Sequence, residues 1–102
     1  MTVMKNFESQ IEGSKPVVVD FYSEWSTSCQ LMSREFQDLK EKVGDRATIV
    51  KMDIDRSPEL SRLYGIQSVP TVAIFKDGKL IWRKAGITPS HEIFQQLITL
   101  LE

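Results

Sequence analysis

The chain has 102 residues, 41% hydrophobic and 26% charged, a composition typical of a globular domain with a core of ordinary size. Its 13 basic and 14 acidic residues are scattered and leave a net charge of -1, which argues against nucleic acids and membrane surfaces as partners. The single cysteine excludes an intramolecular disulfide, and with the single histidine it supplies too few ligands for structural zinc. We therefore expect one domain over residues 1-102, with no metal or cofactor, and monomeric by default.

The cellular location is predicted only by what the sequence lacks. No apolar run approaches the roughly 20 residues that a membrane-spanning helix needs. The first residues, MTVMKNFESQIEG, lack the apolar core of a secretory leader. A cytoplasmic protein is the default expectation.

The first half of the chain alternates between helix and strand patterns. Residues 4–12 place Phe7 and Ile11 on one face of a short helix. Residues 17–22, VVVDFY, are nearly all apolar, which is typical of a strand covered on both faces. Over residues 29–44 the apolar positions recur at steps of three and four, which predicts an amphipathic helix that ends at a glycine.

A strand and a short helix follow. Residues 47–54 have the composition of a second strand. Ser57 followed by Pro58 predicts a helix N-cap with proline in the first turn, and Gly65 is a natural end for that helix.

The last third predicts a hairpin and a final helix. Residues 71–75 and 80–83 are strand-like, and the Asp-Gly between them supplies the positive φ angles of a tight antiparallel turn. Thr88-Pro89 repeats the cap-plus-proline signal, and the helix after it has a wide apolar face made by Ile93, Phe94, Leu97, Ile98 and Leu101. This alternation favours one mixed sheet between helices.

The chain resembles the thioredoxin family in several segments that keep the family's order. They are VVVDFYSEW at residues 17–25, VKMDID around Lys51, YGIQSVPTVAIFKDGK at residues 64–79, and Gly86 before the last helix. The set is specific because its spacing is kept over almost the whole chain. The resemblance implies an α/β protein with the thioredoxin fold, a central mixed β-sheet flanked by helices on both faces.

The family's redox motif, Trp-Cys-Gly-Pro-Cys, is changed in this chain to Trp25-Ser26-Thr27-Ser28-Cys29. The resemblance implies that the first cysteine of the motif attacks a substrate disulfide and that the second cysteine resolves the mixed disulfide. Ser26 stands at the attacking position and Cys29 at the resolving position. An alcohol forms no stable, exchangeable bond to sulfur, so ordinary dithiol turnover should be abolished.

Both residues also have interpretations without redox chemistry. Serine is a preferred helix N-cap, so Ser26 predicts a hydroxyl that accepts a hydrogen bond from the amide of Ser28 or Cys29. A lone cysteine on the apolar stripe of a helix is most often a small core residue. For Cys29 the inherited redox position and the packing role both stay open.

Asp20 interrupts the apolar strand, and burial of a carboxylate costs several kcal/mol unless it is neutralised or paired. The resemblance implies that Asp20 exchanges protons with Cys29, with Lys51 nearby as its partner. The alternative is that Asp20 lies near the strand end and is hydrated.

The resemblance also implies a surface that binds protein or peptide substrates in extended form beside the cysteine position. Val69-Pro70 matches the family's cis-proline, whose preceding backbone pairs with the substrate. The residues expected on this surface are Trp25, Ile66, Gln67, Val69, Pro70 and Gly86; the alternative is ordinary turn structure. A thioredoxin-reductase-type partner is a further expectation.

Three functions are compatible with this motif. The first is a thioredoxin-type thiol-disulfide oxidoreductase, serving protein disulfide reduction and cell redox homeostasis, whose attacking cysteine has been replaced by Ser26, for instance by engineering. The second is a natural thioredoxin-like module that binds peptides without redox turnover. The third is a single-thiol protein in which Cys29 forms mixed disulfides with glutathione or a partner.

Overall fold

The computed structural model describes residues 3–101, which form four α-helices, one 3-10 helix and four β-strands. In chain order the elements are α1 (Val3–Ile11), β1 (Val17–Tyr22), α2 (Thr27–Val43), the 3-10 helix (Gly44–Arg46), β2 (Thr48–Asp53), α3 (Pro58–Tyr64), β3 (Thr71–Lys76), β4 (Lys79–Ala85) and α4 (Ser90–Leu97). None of the described helices has both the length and the apolar character that crossing a bilayer requires.

The four strands form one mixed sheet in the order β2-β1-β3-β4. β1 runs parallel to β2 and antiparallel to β3, and β3 and β4 form the antiparallel hairpin. The turn residues Asp77 and Gly78 have φ angles of 53° and 78°, as the Asp-Gly signal predicts. The predicted architecture is confirmed, and the inner position of β1 explains its nearly continuous apolar sequence.

Each face of the sheet is covered by two helices. On one face α1 and α3 pack on alternate strand residues that include Val19, Phe21 and Phe75. On the other face α2 and α4 pack on the intervening residues of the same strands, such as Val18 and Ile74. Because side chains alternate along a strand, Asp20 lies on the same face as Val18, beneath α2.

Three details of the helix ends differ from the sequence prediction. Ser57 does precede α3, but its hydroxyl donates to Sδ of Met52 at 3.5 Å and caps no helix N–H. Thr88 is not a cap, since α4 begins at Ser90 with Pro89 at the N-cap position. The apolar face of α4 is also narrower than predicted, because the helix ends at Leu97 and Ile98 is exposed.

Candidate functional site

The start of α2 is capped by the side chain of Ser26. Ser26 is the N-cap, and its Oγ accepts a hydrogen bond from the backbone N–H of Cys29 at 3.2 Å. The N–H of Ser26 in turn donates to the carbonyl of Ser23 at 3.2 Å. The predicted N-cap is therefore confirmed, and the hydroxyl satisfies one of the free amides of the first helical turn.

Cys29 is a buried thiol with one polar contact. It is 8% exposed and lies on the core stripe of α2 with Met32 and Phe36. The N–H of Ser23 donates to its Sγ at 3.5 Å, while the Ser23 hydroxyl donates to Asp55 at 2.7 Å. Ser23 thus links the thiol to the loop after β2, a role that no sequence signal indicates.

Asp20 is a buried carboxyl without full hydrogen bonding. It is 3% exposed, and its Oδ1 is the one buried side-chain oxygen or nitrogen among the described residues that has no hydrogen-bond partner. Burial raises its pKa from 3.8 to about 6, and the positive charge of Lys51 opposes that rise. The interpretation of Asp20 as a hydrated residue near the strand end is therefore wrong.

Lys51 is the neighbour of Asp20 across the β1–β2 pair. Its Nζ lies 4.6 Å from the centre of the Tyr22 ring, a cation–π contact at the surface end of the site. The positive charge is therefore held near the carboxyl by the sheet register and by an aromatic ring.

A cleft of about 240 Å³ brings three of the predicted site residues together. Asp20, Cys29 and Lys51 all line it. Its other walls are made by Tyr22, Ser23, Glu24, Gln30 and Ser33. A thiol, a carboxyl with a raised pKa and an ammonium group thus share one small space, an arrangement suited to proton transfer at sulfur.

The residues predicted for the peptide surface differ in their exposure. The Val69–Pro70 peptide bond is cis, and the N–H of Gly86 donates to the carbonyl of Pro70 at 2.8 Å. Trp25 is 89% exposed. Ile66, by contrast, is 7% exposed and packs in the core under α1 and α3, so its side chain is not on this surface.

A sulfur contact connects the Gly86 loop to α2. Thr88 is fully buried, and its N–H donates to Sδ of Met32 at 3.3 Å. The Thr88 hydroxyl donates to the carbonyl of Gly86 at 3.1 Å. Met32 appears in the sequence only as one member of the apolar stripe, so this connection could not be predicted.

Metal chemistry finds no support in the described part of the chain. Across residues 3–101, no group of three or more histidine, cysteine, aspartate or glutamate side chains is placed to hold a metal ion.

Sequence comparisons point to one family. The family model described as Thioredoxin matches residues 1–99 of the chain. A thioredoxin of Alicyclobacillus acidocaldarius subsp. acidocaldarius is 34% identical over 97 residues, which cover 95% of this chain and 92% of that protein. Thioredoxin Y, a chloroplastic protein of Oryza sativa subsp. japonica, is 39% identical over 98 residues, which cover 95% of this chain and 58% of the rice protein.

Solved structures show the same fold. A chain from a study of the thiol-resolving mechanism of yeast mitochondrial 1-Cys peroxiredoxin has a TM-score of 0.82 at 26% identity, covering 93% of this chain and 89% of that one. Thioredoxin-2, a component of the malaria parasite protein secretion machinery, has a TM-score of 0.79 at 25% identity, covering 83% and 82%. These similarities show the thioredoxin fold.

Proposed function

Because the chain belongs to the thioredoxin family, whose chemistry is thiol-disulfide exchange, we propose that it is a thioredoxin-type oxidoreductase scaffold that has lost dithiol turnover. The observation that carries this proposal is the contact at the attacking position. There the hydroxyl of Ser26 accepts the N–H of Cys29 as a helix cap, in place of a sulfur nucleophile.

The chain lacks one of the two sulfur atoms that dithiol turnover requires. Reduction of a protein disulfide by two thiols releases two substrate thiols and leaves a disulfide between the two enzyme sulfurs. With oxygen at position 26, no such disulfide closes with Cys29. A mixed disulfide formed at Cys29 would therefore have to be resolved by a thiol from outside the chain.

The peptide-binding part of the proposal is supported by free backbone groups. The backbone N–H and C=O of Val69 form no hydrogen bond with any residue in the described range 3–101. A segment in extended conformation pairs with such groups by strand addition. Trp25, almost fully exposed, offers an apolar contact for side chains of a bound protein.

Two classes of partner are proposed, one for the peptide-binding backbone and one for the redox motif. Extended protein or peptide segments are the proposed ligands of the Val69–Pro70 backbone. A reductase of the thioredoxin-reductase type acts on a disulfide between two enzyme sulfurs, so we propose it as a partner only for a chain with cysteine at position 26.

The test restores the missing sulfur. Ser26→Cys should catalyse reduction of a disulfide-bonded protein such as insulin by dithiothreitol, whereas the chain with Ser26 should not. Thr27→Cys is the matched control, since it adds a thiol one residue away and should stay inactive.

Each outcome of this test has a definite meaning. Turnover by the chain with Ser26 itself would contradict the proposal. An inactive Ser26→Cys protein that still binds an extended peptide would replace the proposal with the natural binding module.

A further inference from the structure

A continuous groove runs along α2, and the cleft at Cys29 is only one end of it. A second cleft of about 580 Å³ adjoins the first. The two share four lining residues, Asp20, Gln30, Ser33 and Lys51. Together they form what we term the α2 groove, which extends from the thiol to Lys40, three helical turns further along the chain.

The end of the α2 groove remote from the thiol is positively charged. Arg34 and Lys40 line only the larger cleft, Lys51 lines both clefts, and Asp20 is the acidic residue in the wall of the larger one. Within residues 3–101, neither Arg34 nor Lys40 forms an ion pair with a carboxylate. These two cations are therefore available to an anionic ligand.

Asp20, whose Oδ1 has no hydrogen-bond partner, lies in the wall of both clefts, between the thiol and the two cations. The residue is only 3% exposed. A buried oxygen without a partner carries a free-energy cost that a ligand donor or an exchanged proton would relieve. The groove thus has a thiol at one end, a proton acceptor in the middle and cations at the other end.

We propose that the α2 groove binds an anionic low-molecular-weight disulfide and that Cys29 exchanges with it. The anionic group of the ligand lies against Arg34 and Lys40 and its disulfide against Cys29. The inference is independent of peptide binding and of the residue at position 26, and it gives the single-thiol function a binding site.

The exchange balances without a further reactant. Cys29 transfers its thiol proton to Asp20, and the thiolate attacks one sulfur of the ligand. The ligand S–S bond breaks as the bond to Cys29 forms, and the departing thiolate takes the proton back from Asp20. Cys29 is oxidised to the mixed disulfide while half of the ligand is reduced to a thiol, and excess thiol reverses the reaction.

The test compares disulfides that differ in charge. Oxidised glutathione is the anionic probe, hydroxyethyl disulfide the neutral one and cystamine the cationic one, and intact-mass measurement follows the adduct on Cys29 over time. Relative to the same reactions with denatured protein, the anionic probe should react about tenfold faster than the cationic one.

Charge variants locate the binding site. Arg34→Gln and Lys40→Gln should each slow glutathione addition about threefold without changing the hydroxyethyl disulfide rate. Arg62→Gln is the matched control, since it removes an exposed cation on α3 that lines neither cleft of the groove. Circular dichroism checks that each variant is folded.

A non-reactive probe separates binding from exchange. S-methylglutathione cannot exchange, and it should shift the amide NMR signals of Gln30 and Gln37 in the chain but much less in Arg34→Gln. Equal normalised rates for the three disulfides, or the same glutathione rate in Arg34→Gln and Arg62→Gln, would overturn the proposal. Unshifted signals at millimolar probe would overturn it as well.

Discussion

Asp20 is a buried carboxyl that lowers the stability of the folded protein once it is charged. Its neighbours in β1 are apolar and buried, and the carboxyl receives no compensating hydrogen bond at Oδ1. Lys51 offsets only part of the desolvation, because its ammonium group is at the surface. A raised pKa in the folded state implies that stability depends on pH.

The sign of that dependence follows from the two states of the chain. Below pH 3.8 Asp20 is protonated both in the folded protein and in the unfolded chain, so it carries no penalty. As pH rises toward 6 the unfolded chain loses the proton first, and above about 6 the folded protein bears the full cost. At 1.36 kcal/mol per pH unit this cost is about 3 kcal/mol.

Replacement of Asp20 by asparagine should therefore stabilise the protein at neutral and alkaline pH only. Asn has a similar shape and no charge, so Asp20→Asn should raise the free energy of unfolding by about 2–3 kcal/mol at pH 8. Most of the gain should be lost at pH 4, close to the ordinary pKa of 3.8. Urea titrations at several pH values measure it, with Asp45→Asn as an exposed-carboxylate control; a gain that is equal at pH 4 and pH 8 would contradict the argument.

At the level of secondary structure, α2 begins where a small polar side chain satisfies a free amide. Ser26→Ala removes the acceptor of the Cys29 N–H and should lower the free energy of unfolding by about 1 kcal/mol. Ser33→Ala, within the same helix, should be neutral or slightly stabilising because alanine has the higher helix propensity. Equal destabilisation by both substitutions in urea unfolding would argue against the capping role.

Helix starts show where sequence prediction succeeds and where it fails. The cap at Ser26 is local and was predicted, because its donor lies three residues away. Ser57 and Thr88 have the same sequence signal, yet the Ser57 hydroxyl donates to Sδ of Met52 and the Thr88 hydroxyl donates to the carbonyl of Gly86, so neither caps a helix. A cap signal in the sequence therefore predicts where a helix starts more reliably than it predicts which group the hydroxyl will bond.

The contact between Thr88 and Met32 should control the order of the Gly86 loop. Met32→Leu preserves apolar volume but leaves the buried Thr88 N–H without an acceptor, at a cost of about 1–3 kcal/mol. Hydrogen exchange at Thr88 and Gly86 should accelerate more than at core strand amides. Met52→Leu is the matched control, since it removes a sulfur acceptor from the Ser57 hydroxyl and leaves the Thr88 N–H with its acceptor. Equal exchange in the two variants at Thr88 would show that the sulfur contact is not needed.

For the whole molecule, the resemblance predicted the fold and the three groups that meet in the small cleft, Asp20, Cys29 and Lys51. The α2 groove was not predicted. Its cationic residues, such as Arg34, lie on the exposed face of α2. Lys51 lines the same groove because β2, which carries it, pairs with β1. Solvated positions carry no periodic signal, so a polar groove between distant segments becomes visible only in the folded chain.

The hydrophobic cores on the two faces of the sheet, here called the two layers, both include residues of β1 and β3, so they should unfold together. Phe7 is fully buried in the layer under α1 and α3, where its ring centre lies 5.5 Å from that of Phe75. Phe7→Ala should cost about 3–5 kcal/mol through lost burial and the remaining cavity. Trp82 packs on the opposite layer, and its fluorescence in a Trp25→Phe background reports that layer.

The two layers are coupled if they unfold in one transition. In that case Phe7→Ala should lower the urea midpoint measured by Trp82 fluorescence and the midpoint measured by far-ultraviolet circular dichroism by the same amount. The slope with urea should stay unchanged, because the surface exposed on unfolding is nearly the same. Leu63→Ala, an exposed position on α3, should leave both midpoints in place. A Trp82 transition that stays at its original midpoint while the dichroism shifts would mean that each face of the sheet unfolds separately.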